Sequence, residues 1–535
     1  MRREDETPFA TNANRNAEEN WMRLGVSIKL RTARRPGSQR RSNVIAFVFV
    51  LLAFHTSAAV RYVSVDNASP MPPYTNWATA AAVIQEAVDV AEAGDEIVVT
   101  NGVYQSGGRA ILDSFTNRVA VTKPLTLRSL NGPAVTLIVG HQVPGTINGS
   151  NAVRCVYLTN GAALIGFTLT NGATATSASS GWEVVGGGIR CESEAAVVSN
   201  CVVVANAADF HGGGVFSGTL YHCTLANNFS YEGGGAAESA LNYCRLVNNG
   251  SLSIGSGALW STLDHCLVTG NSNLVVGGGI SHSTATHCTI VSNTAIAGGG
   301  GAAFAILNNC IIYHNLSSSN NPVFPVNHMS CQLNFCCTVP ATPDPGRGGA
   351  NNIADDPAFV DLAGGNLRLQ PNSPCINAGR NAVTQGSVDL DGLRRIAGGT
   401  ADIGAYEFQS PASALSHAWL LQHGLPLDGS ADGGDPDGDD FSNYHEWRAG
   451  TDPRDAASLL RLLPPARRGA HVAVSWPSVP GRSYRLEQSA DLGSVPHFTE
   501  LAPNLAGAAH TNTTSFTHTN ATGGGPWFYR VAVEE

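Results

Sequence analysis

Lysine is almost missing from this 535-residue chain: only Lys29 and Lys123 occur, and beyond residue 59 Lys123 stands alone. Charged residues of all kinds make up 13% of the sequence. Of its 31 Lys+Arg and 41 Asp+Glu, residues 1–59 hold ten and five, so the remainder carries a net charge of −15. A surface so short of cations argues against nucleic acid and anionic membrane as partners. Long apolar runs are lacking too. The longest, residues 44–54, has eleven residues, too few to span a bilayer. No CxxC spacing occurs among the twelve cysteines, which argues against a zinc site. What is abundant is glycine, 59 residues, and glycine at low charge suits a turn-rich stacked fold rather than a disordered one.

The 44–54 segment follows a basic run from Arg31 to Arg41 and precedes His55-Thr56-Ser57-Ala58-Ala59. Small residues at Ser57 and Ala59 fit a signal-peptidase cut before Val60, so residues 1–59 read as leader and signal peptide. Either Met1 or Met22 serves as the start. No later segment is expected to cross a membrane.

Residues 186–315 repeat themselves. Cysteines recur at Cys201, Cys223, Cys244, Cys266, Cys288 and Cys310, at intervals of 22, 21, 22, 22 and 22, and five residues after each stands Asn206, Asn228, Asn249, Asn271, Asn293 or Asn315. Glycine clusters at 186–188, 212–214, 233–235, 255 with 257, 277–279 and 298–301 keep the same beat. A fixed period of this length marks a solenoid whose units bury their apolar side only by stacking. The segments between turns, such as Cys288-Thr289-Ile290-Val291, are short, β-branched and alternating, hence strands. Alternation points each cysteine and its second neighbour inward, and the preceding column of Asn200, His222, Tyr243, His265, His287 and Asn309 outward. The asparagine column is expected to turn the chain in the left-handed conformation and to bond from rung to rung, and the glycines to make a second turn. Leu164 to Gly172 supplies one earlier rung with Gly166 in the cysteine slot and Asn171 in the ladder; past Asn315 the period is lost.

This pattern resembles the right-handed parallel β-helix of the pectin-lyase-like superfamily, with its inward asparagine ladder, over roughly residues 60–410. The words Asn101-Gly102-Val103-Tyr104, Lys123-Pro124-Leu125-Thr126-Leu127, Asp389-Leu390-Asp391-Gly392 and Asp402-Ile403-Gly404-Ala405-Tyr406-Glu407 resemble the opening and closing segments of secreted bacterial β-helix proteins. The resemblance implies a protein at the bacterial cell surface or outside it; it leaves chemistry open, since the scaffold serves many activities. Ahead of the solenoid Trp77, Ala81, Ile84, Val88 and Ala91 recur at helical spacing, with Asn76 as N-cap and Gly94 as stop, a lid for the first rung. The ladder thiols read as packed and unpaired; Cys155 and Cys191 are candidates to stack; Cys331, Cys336, Cys337 and Cys375 are disulfide candidates. Asp389 with Asp391 reads as a turn before a ligand pair.

Residues 411–463 hold a short helix and then Asp435-Pro436-Asp437-Gly438-Asp439-Asp440-Phe441-Ser442-Asn443-Tyr444-His445-Glu446. Numbered as a twelve-residue calcium loop, this places Asp435, Asp437 and Asp439 at positions one, three and five, the Phe441 carbonyl at seven, Asn443 at nine and Glu446 at twelve. Asp440 departs from the glycine expected at six, a place Asp tolerates. The loop resembles EF-hand, dockerin and thrombospondin type 3 calcium loops, and implies one structural Ca2+. Residues 464–535 alternate like strands of a small antiparallel β-sandwich resembling fibronectin type III modules, with Trp476 and Trp527 in its core.

The site is harder to read. Glu183, Asp209 and Glu232 share the edge before the glycine turns with His211, and are the candidate catalytic or calcium-holding acids. His222, Tyr243, His265 and His287 form the candidate ligand surface, rings in a row on which a glycan could lie. Glu238, Trp260, His282 and Phe304 form another column whose facing alternation leaves open. The expectation is a monomeric secreted or cell-surface protein that binds polysaccharide or another extracellular surface. Its alternatives are a polysaccharide lyase or glycoside hydrolase, and a structural or adhesive spacer.

Overall fold

The computed structural model describes residues 58–534 except 112–114, 177–180, 319–325, 342–345, 494–497, 509–510, 520 and 522–525; the leader, its apolar segment and both candidate start methionines lie outside the described residues. Residues 60–338 wind into a right-handed parallel β-helix. Three long sheets of eleven, ten and ten strands and a fourth of five carry it, each strand paired in parallel with its copy one coil away except Arg109–Ile111, which forms an antiparallel hairpin with Phe115–Val121. In one coil, Gly250–Ser251 lies in the short fourth sheet, Ala258–Leu259 in the third, Thr262–Asp264 in the first and Leu267–Thr269 in the second. Four left-handed residues, Gly255, Trp260, His265 and Gly270, make its corners at φ of 62, 46, 51 and 68°. The five-residue spacing between them is what folds a strand-forming sequence into a closed coil.

Register stacks like on like. Leu220, Leu241, Leu263, Ala285, Leu307 and Leu333 follow one another in the first sheet, all buried. Each buried aliphatic side chain contributes roughly 1.5–3 kcal/mol. The cysteines occupy the narrow corner between first and second sheets, where the left-handed turn leaves carbonyls free to accept from sulfur: Cys223 Sγ to the Val198 carbonyl at 3.5 Å, Cys266 to Leu241 at 3.4 Å, Cys310 to Ala285 at 3.4 Å. All twelve thiols are buried and none is in a disulfide. Burial pushes Cys155 and Cys191 up to about 12, far from the thiolate that reacts.

The asparagine ladder is inward and fully bonded. Asn271 Oδ1 accepts from both the backbone N–H and the Nδ2 of Asn249, at 2.8 and 3.0 Å, while Asn271 Nδ2 donates to the Leu246 carbonyl at 2.9 Å. The same set recurs down to Gly172 N–H and up to Asn327 Oδ1. The bend, however, falls one residue earlier than expected, at Ala205, Asn227, Asn248, Gly270, Ser292 and His314. The glycine clusters serve two needs. Gly233 turns at φ 66°, whereas a Cβ on Gly234 would lie 2.2 Å from the Gly250 carbonyl of the next coil, so there glycine answers close stacking.

Several expectations are corrected. Leu169 pairs with Val203, so Phe167 fills the cysteine slot, Gly166 is the corner, and Gly172 rather than Asn171 meets the ladder. The large ring takes the volume of the missing sulfur. The period survives past Asn315 with an insertion: Ile306 pairs with Gln332 and Ile311 with Cys337, which makes Cys336 another ladder thiol and turns Cys331 inward; neither is disulfide-bonded. Cys155 and Cys191 do not stack, because Cys191 pairs with Leu158. The N-terminal helix is shorter, Ile84–Val90, while Asn76 caps a separate turn at Trp77–Thr79. It still closes the first coil: buried Gln85 accepts from Ala120 N–H at 2.7 Å and donates to the Ala120 carbonyl at 3.4 Å.

Residues 355–408 do not extend the solenoid but fold back along its flank. Phe359, Leu367, Leu369, Ile376, Ile403 and Tyr406 cover Leu267, Val291 and Ile311 on the outside of the second sheet. The flap is locked by buried acids that accept backbone N–H groups: Asp389 from Leu393 and Glu407, Asp402 from Asn377 and Phe408, Glu407 from Ala397 and Asp402. Asp389 is therefore a turn clamp, as expected, and Asp391 pairs with Arg368 at 2.6 Å. Beyond it come the helix His417–Gln422, the acidic loop, the helix Asn443–Ala449 and a sandwich of two three-stranded antiparallel sheets around Val474, Trp476, Tyr484 and Leu486. Trp476 is core; Trp527 is half-buried against His518.

The ladder makes a sharp contrast between neighbours. Asn228→Ala strands the Asn206 N–H, removes one acceptor of the Asn206 Nδ2 and leaves the Val203 carbonyl without its Nδ2 donor, and is expected to cost about 2–4 kcal/mol, whereas Asn227→Ala, at a corner where Ala205 already stands, costs about 1 kcal/mol or less. Urea unfolding of the two variants checks this; equal losses would contradict it.

Candidate functional site

The exposed rings gather at the corner of each coil where the third sheet passes into the first. Glu238, Trp260, His282 and Phe304 occupy it on successive coils at φ of 52, 46, 49 and 52°, and all four are exposed, Trp260 at 43% and Phe304 at 37%. The left-handed backbone throws each side chain clear of the sheet. His282 stacks on Phe304 at 4.8 Å between centroids and lies 6.4 Å from Trp260. The row continues to His211, edge-on to Trp260 at 5.2 Å and stacked on Phe210 at 4.0 Å, and from Phe210 to Tyr231 at 5.9 Å. A left-handed backbone costs a bulky residue of this kind roughly 1–2 kcal/mol. Ala237, Leu259, Ser281 and Ala303, in the third sheet just before each corner, are fully buried.

Of the candidate acids, Glu232 joins this row: its Oε2 lies 3.1 Å from His211 Nε2, both side chains mostly shielded. Glu183 and Asp209 are half-buried, and their contacts run through the backbone: the Glu183 carbonyl accepts from Ala175 N–H, and Asp209 N–H donates to Thr174 Oγ1. The three carboxylates do not converge on one point. Among the described residues the group of three acids whose ligand atoms lie within 4.8 Å of one another is Asp435, Asp437 and Asp439. Phe210, Tyr231 and Trp182, the last under the Arg190 guanidinium at 4.9 Å, were not singled out by the sequence; the signal was an aromatic two to four places ahead of the glycine cluster's edge.

The expected ligand column is corrected. His222, Tyr243, His265 and His287 do stack, at 5.1, 5.0 and 4.9 Å, but the flap lies over the later members: His265 and His287 are fully buried, and only His222 is exposed, with Tyr243 between. Arg395 donates to His287 Nδ1, and the other ring nitrogen lies 2.9 Å from Thr384 Oγ1, so the ring is neutral with its proton on Nε2.

The acidic loop has the geometry of a cation cage. Asp435 Oδ1 accepts from Gly438 N–H at 2.8 Å and its Oδ2 from Asp440 N–H at 3.0 Å, and Asp440 takes the left-handed conformation, φ 72°, that glycine would otherwise supply. Both Asp437 oxygens, Asp439 Oδ2, Asn443 Oδ1 and Glu446 Oε2 are buried without a partner, although Asn443 and Glu446 are each 1% exposed. Burial, and then Asp437 and Asp439, push the Glu446 carboxyl up to about 7. Five orphaned oxygens in one acidic loop, with Asp435, Asp437 and Asp439 within 4.8 Å of one another, suit a hard divalent cation.

No family model and no curated protein matches the chain. Among solved structures it is similar to pectate lyase Pel9A (12% identity, TM-score 0.42, over 66% of this chain and 97% of that one) and to a rhamnogalacturonan lyase (10%, 0.30, over 58% and 95%). It is also similar to the A-module of the Azotobacter vinelandii mannuronan C-5 epimerase AlgE4 (12%, 0.22, over 51% and 97%). Likenesses this distant carry nothing about activity. The fold rests on the register of the sheets.

Burial, with Arg395 and His265 adding to it, holds His287 well below the ordinary imidazole range. The folded chain therefore stays neutral there while the unfolded chain takes up a proton below about pH 6.5, so stability is lost as pH falls through that value. Asn already stands at this corner at positions 200 and 309. Between pH 6.5 and 5 the His287→Asn variant is expected to lose about 2 kcal/mol less than the wild type in urea unfolding at stepped pH; parallel slopes would contradict this.

Proposed function

We propose that this is a secreted or cell-surface protein that binds a polysaccharide along the exposed ring row, with the solenoid as a rigid rail. The observation that carries the reading is the run of Trp260, His282 and Phe304, one uncovered ring per coil at the same corner of three successive coils, with the exposed rings of Phe210 and Tyr231 beside the glycine turns of the two coils before. Coils repeat at roughly 4.8 Å, close to the length of a sugar unit, so successive rings offer apolar faces to successive residues of an extended chain. Turnover of that polysaccharide, by a lyase or a glycoside hydrolase, is the second reading, favoured by the His211–Glu232 pair at the end of the row.

The acidic loop supports a structural Ca2+ held by Asp435, Asp437, Asp439, the Phe441 carbonyl, Asn443 and Glu446. Its task is to hold the turn that opens the Asn443–Ala449 helix.

Two outcomes follow. In affinity electrophoresis against a panel of polysaccharides, Trp260→Ala is expected to weaken binding by roughly 2 kcal/mol, about thirtyfold in Kd. His222→Ala, on the partly covered column, leaves binding unchanged. Retained binding by Trp260→Ala would remove the row as the site, and release of unsaturated products or reducing ends, lost on Glu232→Gln, would favour the second reading. Calorimetry is expected to give one calcium per chain for the wild type and none for Glu446→Gln, with a calcium-dependent rise in stability of about 2.7 kcal/mol at a hundred times Kd. Equal heats would remove the metal.

A further inference from the structure

A second exposed surface lies on the short fourth sheet, next to the ring row. The strands Phe229–Ser230, Gly250–Ser251, Ser272–Asn273 and Thr294–Ala295 pair in parallel there, and the residue that follows each is Tyr231, Leu252, Leu274 or Ile296. These four are exposed at 44, 45, 55 and 46%. Burial on this sheet runs against the usual order: the inward column is Ser230, Ser251, Asn273 and Ala295, small or polar and buried, while the large apolar side chains stand outside. Folding gains little from that arrangement. Phe229 and Leu316, first residues of the strands at either end, extend the patch at 44 and 61% exposed. No charged residue stands at 250–254, 272–276 or 294–297.

Six large side chains, each about half exposed, offer roughly 600 Å² of apolar surface, at the upper end of what a monomer shows. A standard interface covers about 800 Å² per partner, and in homodimers about 65% of it is apolar, or roughly 520 Å². The patch is thus large enough to seat a whole interface. Its chemistry narrows the occupant. A patch free of charge has nothing with which to select a charged partner, and Leu and Ile are branched where a sugar needs a flat ring face. Large side chains recur here once per coil, about every 4.8 Å, so a matching face needs knobs of that period, which a second copy necessarily has. With a net charge of −15 on residues 60–535, two copies repel elsewhere and meet most easily where charge is absent. We propose that this face docks a second copy of the chain, giving a symmetric dimer through the fourth sheet in place of the monomer expected from the sequence. Such a dimer forms whether or not the ring row holds a polysaccharide.

The test is sedimentation equilibrium of the full chain, without polysaccharide, between about 1 and 100 µM, where the wild type is expected to be dimeric at the upper end. Leu274→Glu, at the centre of the patch, and Leu252→Ser are each expected to weaken association about tenfold or more, at an unchanged urea midpoint because both side chains are exposed. Thr262→Glu, which adds the same charge on the exposed face of the first sheet, leaves association unchanged and so separates loss of the patch from general repulsion. Trp260→Ala leaves it unchanged as well, which tells failure of the dimer from failure of the ring row. A wild type that stays monomeric at the upper end, dimers as tight in both patch variants as in the wild type, or an equal loss with Thr262→Glu would each overturn the proposal.

Discussion

One hydrogen-bond pattern sets the rest of the solenoid in place. A ladder asparagine receives two donors from the coil on one side, and its own amide reaches a carbonyl deeper in the stack, so each coil can settle on the next in a single register. A slip of one residue would bury donors without acceptors, at a cost that recurs at every rung. Because register is fixed there, the corners elsewhere on the coil align too. The ring row, the thiol column and the covered imidazole column are consequences of that alignment, not separate inventions.

The periodicity of cysteine and asparagine was enough to read the fold, the inward faces and the number of residues per coil. What was misjudged was one residue wide. Alternation along a strand cannot locate a left-handed corner, and the corners tolerate Asn, His, Ser, Gly and aromatic residues alike, so composition leaves the bend ambiguous between Asn227 and Asn228. The insertion after Asn315 hid a further coil for the same reason: Cys336 stands 26 residues after Cys310, off the beat, yet in register once the extra loop is set aside. In the acidic loop the left-handed backbone at Asp440 was legible, because there a short local motif sets its own conformation.

The flap was the larger omission, and its trace was present. Outward positions of the second sheet read Thr224 and Arg245 on early coils, then Leu267 and Ile311, with Val291 beside them. An outward face that turns apolar part-way along a solenoid needs a cover. That cover decides which column can meet a ligand. His265 and Trp260 sit five residues apart with the same backbone conformation, yet one is sealed beneath the flap and the other stands in solvent. Stacked rings are thus an outcome of the geometry, and only coverage separates packing from display.

Energetics then bear on why the uncovered rings are there. Trp260, His282 and Phe304 each hold a left-handed backbone that glycine or asparagine would adopt more cheaply, at roughly 1–2 kcal/mol apiece, and domains of this kind are stable by only about 5–15 kcal/mol. On the covered column the same expense is offset by burial: His287 gains the Arg395 and Thr384 contacts and loses its exposure to water. The exposed row has less to offset it: ring-on-ring contact worth about 0.5–1.5 kcal/mol a pair and, at His282, one hydrogen-bond contact with Ser281 Oγ at 3.0 Å. Folding alone does not demand a ring at those corners, where Ser217 and Ser330 stand on other coils, so the rings can be kept for the binding proposed for this face.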